Sequence, residues 1–244
     1  MLEGQECLWK RGLIARSPAN KLSLTIIHEQ ARYLFAQKYS NWDLQWRSVI
    51  FTDESTVQVG KSGIQYVRRK RGERFVKKNV RQQCNRSVAH LNVWAAISYE
   101  GISELHVING ALTSRRYIDE ILEVSLRNFI RNTYGNHEVV FQQDHSPIHT
   151  ANIVKNWLIG HHLEVLDWPA CSPDVNPIEN IWGDMKRQLS LRNDIHNVND
   201  LRNALFMIWN EYSHERQYIV CNAILSMPWR IQHLINSNGS FIKY

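Results

Sequence analysis

Three acidic residues stand where the chain changes character. Asp53 follows the apolar run of SVIFTDES, Asp144 closes VVFQQD, and Glu179 lies in the first turn of a helical stretch after a proline-rich segment. Carboxylates brought from separate elements into one small volume repel one another and raise each other's pKa unless cations neutralise them. Magnesium suits such a set, because it takes hard oxygen ligands and keeps water or substrate phosphate in its remaining positions. Two divalent ions about 4 Å apart activate an attacking oxygen and stabilise a leaving oxygen in phosphodiester displacement. On residue type and spacing alone an ordinary reading stands beside this one, since Asp and Glu also cap helices and shape turns at such places.

The elements that must deliver these acids are legible as periodicities. Ser23 to Tyr39, after a linker-like segment at Ser17 to Asn20, predicts an amphipathic helix with Ile27, Ala31, Leu34, Phe35 and Tyr39 on its apolar side. Val49 to Phe51 predicts a buried strand with Asp53 and Glu54 at its C-terminal edge. Val57 to Val59, Gln65 to Val67 and Val88 to Ser98 read as short antiparallel strands separated by Gly60, Gly63 and Gly72, with Ile102 to Val107 as another. Ser114 to Arg131 predicts a helix, and Val139 to Phe141 a second strand leading to Asp144.

Beyond it come a helix from Pro147 to about Leu158, a strand over Leu163 to Leu166, and the loop Trp168 to Pro177, which holds three of the six prolines. Helices follow over Ile178 to Leu189, Val198 to Tyr212 and Glu215 to Asn236. Strands first and strand-helix alternation afterwards imply an α/β fold with a mixed sheet flanked by helices. Trp94, Trp157, Trp182 and Trp209 fall in apolar stripes and are expected in the core, while Trp168 is placed to line the site.

Composition narrows the class. The 244 residues are 43% hydrophobic with nine Trp, which excludes disorder and collagen-like repeats. The longest stretches without a charged residue, Ser87 to Tyr99 and Gln217 to Trp229, fall well short of the roughly 20 apolar residues that cross a bilayer. Cys7, Cys84, Cys171 and Cys221 form no CxxC pair, against a disulfide framework or a cysteine zinc site. The N-terminus carries no secretion signal.

The net charge of +6 is concentrated in one place. Arg68, Arg69, Lys70, Arg71, Arg74, Lys77, Lys78 and Arg81 face a single acid, Glu73, on a predicted hairpin. Such a segment suits salt-dependent contact with DNA phosphates; a solvated basic hairpin is the plainer reading, and RRKR at Arg68 to Arg71 also fits a nuclear import signal.

The wording around the acids resembles the transposases of the Tc/mariner superfamily. VIFTDES (Val49 to Ser55) resembles the block around that family's first Asp, and FQQDHSPIHTA (Phe141 to Ala151) the block around the second. WPACSPDVNPIENIW (Trp168 to Trp182) is similar to the family's most specific block, usually SPDLNPIENLW, and the 34 residues between Asp144 and Glu179 match the Tc-type branch. The likeness runs from about Gly12 to Tyr244.

What the resemblance implies is a ribonuclease H-like fold in which Asp53, Asp144 and Glu179 bind two Mg2+ (or Mn2+) ions, with Asp53 bridging both. Water would cut DNA at the transposon ends, and the freed 3'-hydroxyl would attack a TA target, with a homodimer acting on double-stranded DNA in the nucleus. Residues 1–46 would be a linker and lead-in helix remaining after a missing N-terminal DNA-binding region. Residues 47–244 would be the catalytic domain, with a basic hairpin insertion at about 56–87. His149 matches the family's His and reads equally as a polar neighbour of the metal site or as a helix residue satisfied by local hydrogen bonds. His145 departs from the family's usual Asn, and an imidazole is bulkier and titrates near neutrality. A catalytically inactive, transposase-derived DNA-binding or regulatory protein is therefore the alternative, and a nuclease for RNA-DNA hybrids is a third reading.

Overall fold

The computed structural model describes residues 24–59, 89–135 and 137–243. The basic segment Arg68 to Arg81, the linker at Ser17 to Asn20, Cys7, Cys84 and the strand expected at Gln65 to Val67 lie outside the described residues.

A central strand organises the rest. β1 (Val49–Val59) pairs antiparallel with β2 (Ala89–Ser98), whose outer edge carries β3 (Gly101–Ile102) and β4 (His106–Ile108). On its other side β1 pairs parallel with β5 (Val140–Gln142), and β5 with β6 (Glu164–Val165), giving the order β3-β2-β1-β5-β6. This is the mixed sheet flanked by helices that the sequence predicts. One expectation is corrected: Asp53 and Glu54 do not end a short strand, because β1 runs on through Val59 and takes in the separate strand expected at Val57 to Val59. What ends at that level is β5, and the unbroken antiparallel ladder with β2 carries β1 past the acids.

Alternation along β1 and β2 sends side chains to two separate cores. Val49, Phe51, Val57, Val93, Ala95 and Ile97 face one layer, while Ile50, Trp94 and Ala96 face the other. The first layer contains α1 (Ile26–Lys38), α5 (Ile178–Ser190), α6 (Val198–Glu211), α7 (Gln217–Leu225) and α8 (Met227–Asn236). The second contains a helical run in three segments, Ser114–Arg116, a π-helical Tyr117–Leu126 and Arg127–Thr133, together called α2, and α4 (Asn152–Gly160). The short α3 (Pro147–Thr150) precedes α4, and the expected single helix is broken at Ala151, whose ψ of 141° is extended. The stretch Glu215 to Asn236 holds two helices that divide at Ser226, making three with the one before it, within the two or three that the pattern allows, and Ile102 to Val107 divides into β3 and β4.

α1 shows why periodicity misled at one place. Its N-cap Thr25 accepts from the His28 N–H, close to the predicted start. The buried face, however, is Arg32, Phe35, Ala36 and Tyr39, while Ile27 and Leu34 are 77% and 54% exposed. The face is rotated because a fully buried arginine occupies a position that an apolar pattern reads as polar. Trp94, Trp182 and Trp209 are core residues as expected. Trp157 is only half-buried, with its ring on His161 and its Nε1–H donating to Glu123 at 2.7 Å.

Candidate active site

Strand register places two of the acids side by side. In the parallel pair β1·β5, Phe51 is opposite Gln142, so Asp53 and Asp144 each stand two residues beyond the last matched pair. The junction is locked just before them: the Thr52 N–H donates to Gln142 Oε1 at 2.9 Å and the Thr52 hydroxyl to the Gln142 carbonyl at 2.7 Å. Odd and even positions of β1 then part company. Asp53 faces the α5 layer, and Glu54 faces the side where α3 carries His149.

Glu179 arrives from the first turn of α5, which packs directly on β1. The loop before it sets the helix start. Asn176, buried, donates from Nδ2 to the Thr52 carbonyl at 3.2 Å and accepts from the Ile178 N–H at 3.3 Å. One side chain thus ties the beginning of α5 to the residue next to Asp53. Asp53, Asp144 and Glu179 all line one cleft of about 370 Å3, together with His145, Asn176 and the Trp168 to Pro173 loop.

The charges in this cleft are in tension. Burial, then the Glu179 and Glu54 carboxylates, push the Asp53 carboxyl from its ordinary 3.8 up to about 8. Glu179 is raised as well, mainly by burial, although Lys186 and a hydrogen bond from Asp53 oppose this. Asp144 behaves differently. Its burial acts upward, but hydrogen bonds from His149 and the Ser146 N–H hold it below the usual carboxylate value.

His149 is 3% exposed and bridges two acids, with Nδ1 2.6 Å from Asp144 Oδ1 and Nε2 3.2 Å from Glu54 Oε1. Burial disfavours its charge, yet the two carboxylates outweigh this and raise it to about 9, so both ring nitrogens donate. Of its two readings, the residue is therefore the polar neighbour of the acids and not one satisfied by its own helix. Its ring also packs 4.4 Å from that of Tyr117, whose hydroxyl donates to Gln143 Oε1 at 3.0 Å.

His145 lines the same cleft but makes its hydrogen bond to the proline-rich loop. Its Nε2 lies 2.5 Å from the Trp168 carbonyl, and since a carbonyl only accepts, Nε2 carries the hydrogen. The imidazole ties the turn after Asp144 to the proline-rich loop. Trp168 both lines the cleft and packs its ring against Phe35 and Phe51, at 5.2 and 6.2 Å between centroids.

Three oxygen-donor side chains lining one cleft fit a hard divalent cation, and the raised Asp53 marks where positive charge is wanted. They are neighbours around the cleft and not a closed ligand set: among the described residues no three His, Cys, Asp or Glu groups are already gathered at metal-binding distances. Glu54, Thr52, Gln142 and Asn176 were not singled out from sequence. The signal for them was their place within the same three blocks.

Residues 48–202 match the family described as DDE superfamily endonuclease. The chain is 33% identical to the transposable element Tcb2 transposase of Caenorhabditis briggsae, over 96% of this chain and 84% of that protein. It is 31% identical to the Tc1 transposase of Caenorhabditis elegans, over 97% and 85%. The chain belongs to the DDE transposases of the Tc/mariner superfamily.

Solved structures agree on the fold of this transposase. The Mos1 transposase paired-end complex with left transposon end superposes with a TM-score of 0.80 at 18% identity, covering 99% of this chain and 71% of that one. The catalytic domain of Mos1 mariner transposase gives 0.69 at 16% identity, covering 92% and 100%. The ribonuclease H-like architecture is thereby confirmed for this DDE transposase, and its enzyme class is that of its relatives. These matches speak for a DNA transposase and not for the inactive derivative.

Proposed function

We propose that Asp53, Asp144 and Glu179 hold two divalent cations, Mg2+ or Mn2+, at which this transposase cuts the strands at its transposon ends and joins the freed 3'-hydroxyl to target DNA. The observation that carries this reading is the convergence of the three carboxylates on one cleft, with Asp53 pushed up to about 8 by burial and by its acidic neighbours. The same burial and like charge that favour a proton on this group favour a cation placed beside it. Bound there, the ions would supply the activated water and the charge neutralisation that phosphodiester displacement requires.

The chain's own residues would do the positioning. Asp144 has Oδ1 engaged by His149 and the Ser146 N–H, which fixes the carboxylate plane and leaves Oδ2 for a ligand. Asn176 and the Thr52–Gln142 lock hold Glu179 and Asp53 to the same backbone level. Solved Mos1 structures that contain Mg or Mn support divalent-ion use, and those with transposon ends support duplex DNA as the partner. The segment Arg68 to Arg81 would add phosphate contacts, RRKR nuclear entry, and a homodimer would hold paired ends.

The test compares nicking of a duplex carrying the element's ends in Mn2+ by the wild type, Asp144→Asn and Glu179→Gln, alongside calorimetric Mn2+ titration. The wild type should nick and both variants should lose nicking and weaken ion binding. Nicking that survives both substitutions would remove the proposal.

A further inference from the structure

α5 carries a residue that the fold does not explain. Gly183 sits mid-helix, exposed, in a helix of 13 residues. Glycine is the weakest helix former apart from proline, because it loses the most backbone freedom. An interior helical glycine is usually there because a neighbour approaches its backbone closely. Here a Cβ at position 183 would meet no described atom within 4 Å, and φ is not in the left-handed region. Among the described residues, nothing occupies the space over this turn.

The residues in line with it are charged. Spacings of four and seven put Glu179, Gly183 and Lys186 on one face of α5, alongside the buried stripe of Ile178, Ile181, Trp182, Met185 and Leu189. Lys186 is exposed and forms no salt bridge among the described residues, and its charge reaches Glu179, whose ionised form it favours. Walking outward from the cleft, this face offers a carboxylate, one turn of bare backbone, and then a cation, over about 10 Å of helix axis.

We propose that this face of α5 seats the phosphate backbone of the DNA strand entering the carboxylate cleft, with Gly183 admitting the strand close to the helix and Lys186 contacting a phosphate. The inference rests on the DNA-cutting reading above. A polyanion is the occupant that fits: the uncommitted lysine attracts it, the missing side chain leaves room for it, and its reacting phosphate ends beside Glu179. An acidic peptide would gain nothing at the carboxylate end.

Binding of a duplex oligonucleotide is measured by fluorescence anisotropy over a salt series, with Mg2+ present, for the wild type, Lys186→Ala, Gly183→Ala and Gly183→Leu. Thermal unfolding without DNA is recorded for each. Lys186→Ala should weaken binding and flatten the log–log salt slope by about 0.9, the value of one phosphate contact. Gly183→Ala and Gly183→Leu, both better helix formers, should unfold at or above the wild-type temperature yet bind more weakly, with a loss of roughly tenfold for leucine, the order of an overpacked contact.

An unchanged slope in Lys186→Ala, or wild-type affinity in Gly183→Leu, overturns the inference. So does a lower unfolding temperature for Gly183→Leu without DNA, which would mean that the chain itself fills the space. Nicking by the wild type reads the proposed function separately. Variants that bind normally in a chain that nicks remove only this inference, whereas weakened binding in a chain that nicks nothing upholds the seat and removes the enzyme reading.

Discussion

Arg32 on α1 and Asp174 in the proline-rich loop, 142 positions apart, are joined by two parallel hydrogen bonds of 2.8 and 2.7 Å. Arg32 is fully buried and also donates to the Cys171 carbonyl, the Ser172 hydroxyl and, at 2.7 Å, the Gly239 carbonyl. From the opposite side Arg230, on α8, donates to the Asp174 carbonyl and to Asn180 Oδ1, beside Glu179. Two buried guanidinium groups therefore clamp the loop that delivers the third acid. Removing one partner of a buried ion pair strands the other charge, so Asp174→Ala should cost about 3–5 kcal/mol by urea denaturation. Arg32→Lys should recover little of a comparable loss, because an ammonium cannot reproduce the fork.

The tail that receives Arg32 requires glycine. Gly239 has φ of +80°, and a Cβ there would lie 1.8 Å from the Glu29 carbonyl oxygen on α1. Gly135 has a φ of +60° with open space around it. Gly135→Ala should thus cost only the left-handed penalty of about 1–2 kcal/mol. Gly239→Ala should cost clearly more, since α1 must shift, and should loosen the loop clamp with it. Equal losses in thermal unfolding would refute the close approach.

Much of the site was legible before any coordinates, and for identifiable reasons. Asp53 and Asp144 each follow a short apolar run, the pattern of a strand buried on both faces, and Glu179 follows prolines that stop one element before the next begins. What stayed hidden depends on long-range pairing. Sequence cannot show that β1 continues past its acids, because the β2 ladder that carries it is drawn from far along the chain, 36 residues away at Thr56 and Asn92. Nor can periodicity identify Arg32 as a core residue, since its partners come from the loop and the C-terminal tail. The role of Glu54 emerged only when β1 alternation turned it away from Asp53 toward His149.

Asp184 gives a pH signature to the α5–α7 junction. Burial acts to raise it, but hydrogen bonds from the Tyr212 hydroxyl at 2.6 Å and from Arg187, with the charge of Arg216, hold it below 3.8. A carboxylate depressed in the folded state contributes stability fully above its ordinary value and loses it as pH falls through the folded one. Asp184→Asn should therefore be less stable than wild type at neutral pH by about 1–3 kcal/mol, the range for hydrogen bonds to a charged group. The difference should shrink in urea melts taken well below pH 3.8.

Asp53→Asn should separate stability from activity. In metal-free protein at neutral pH, burial and two neighbouring carboxylates force Asp53, which is ionised in the unfolded chain, to take up a proton on folding, so an uncharged amide of the same shape removes that cost. The variant should melt at a higher temperature than wild type at neutral pH while showing no nicking. Added Mn2+ should raise the wild-type melting temperature and leave the variant nearly unmoved, because ligand binding stabilises only the state that binds. A variant that melts lower without metal would mean that Asp53 is a structural carboxylate.

His145 decides whether the one departure from the family's wording impairs the enzyme. The imidazole hydrogen bonds the Trp168 carbonyl and so holds the loop that walls the cleft, and it acts on Asp144 only as the smallest of the effects that lower that carboxyl. A residue in that role tunes the shape of the cleft and leaves the chemistry to the acids. His145→Ala should lower single-turnover nicking by roughly tenfold at most while costing about 1 kcal/mol of stability, the scale of one lost hydrogen bond. His145→Asn keeps an amide N–H on a shorter side chain and should fall between the two. A complete loss of nicking in His145→Ala, equal to that of Asp144→Asn, would place the imidazole in the chemistry itself and overturn its assignment as a loop tie.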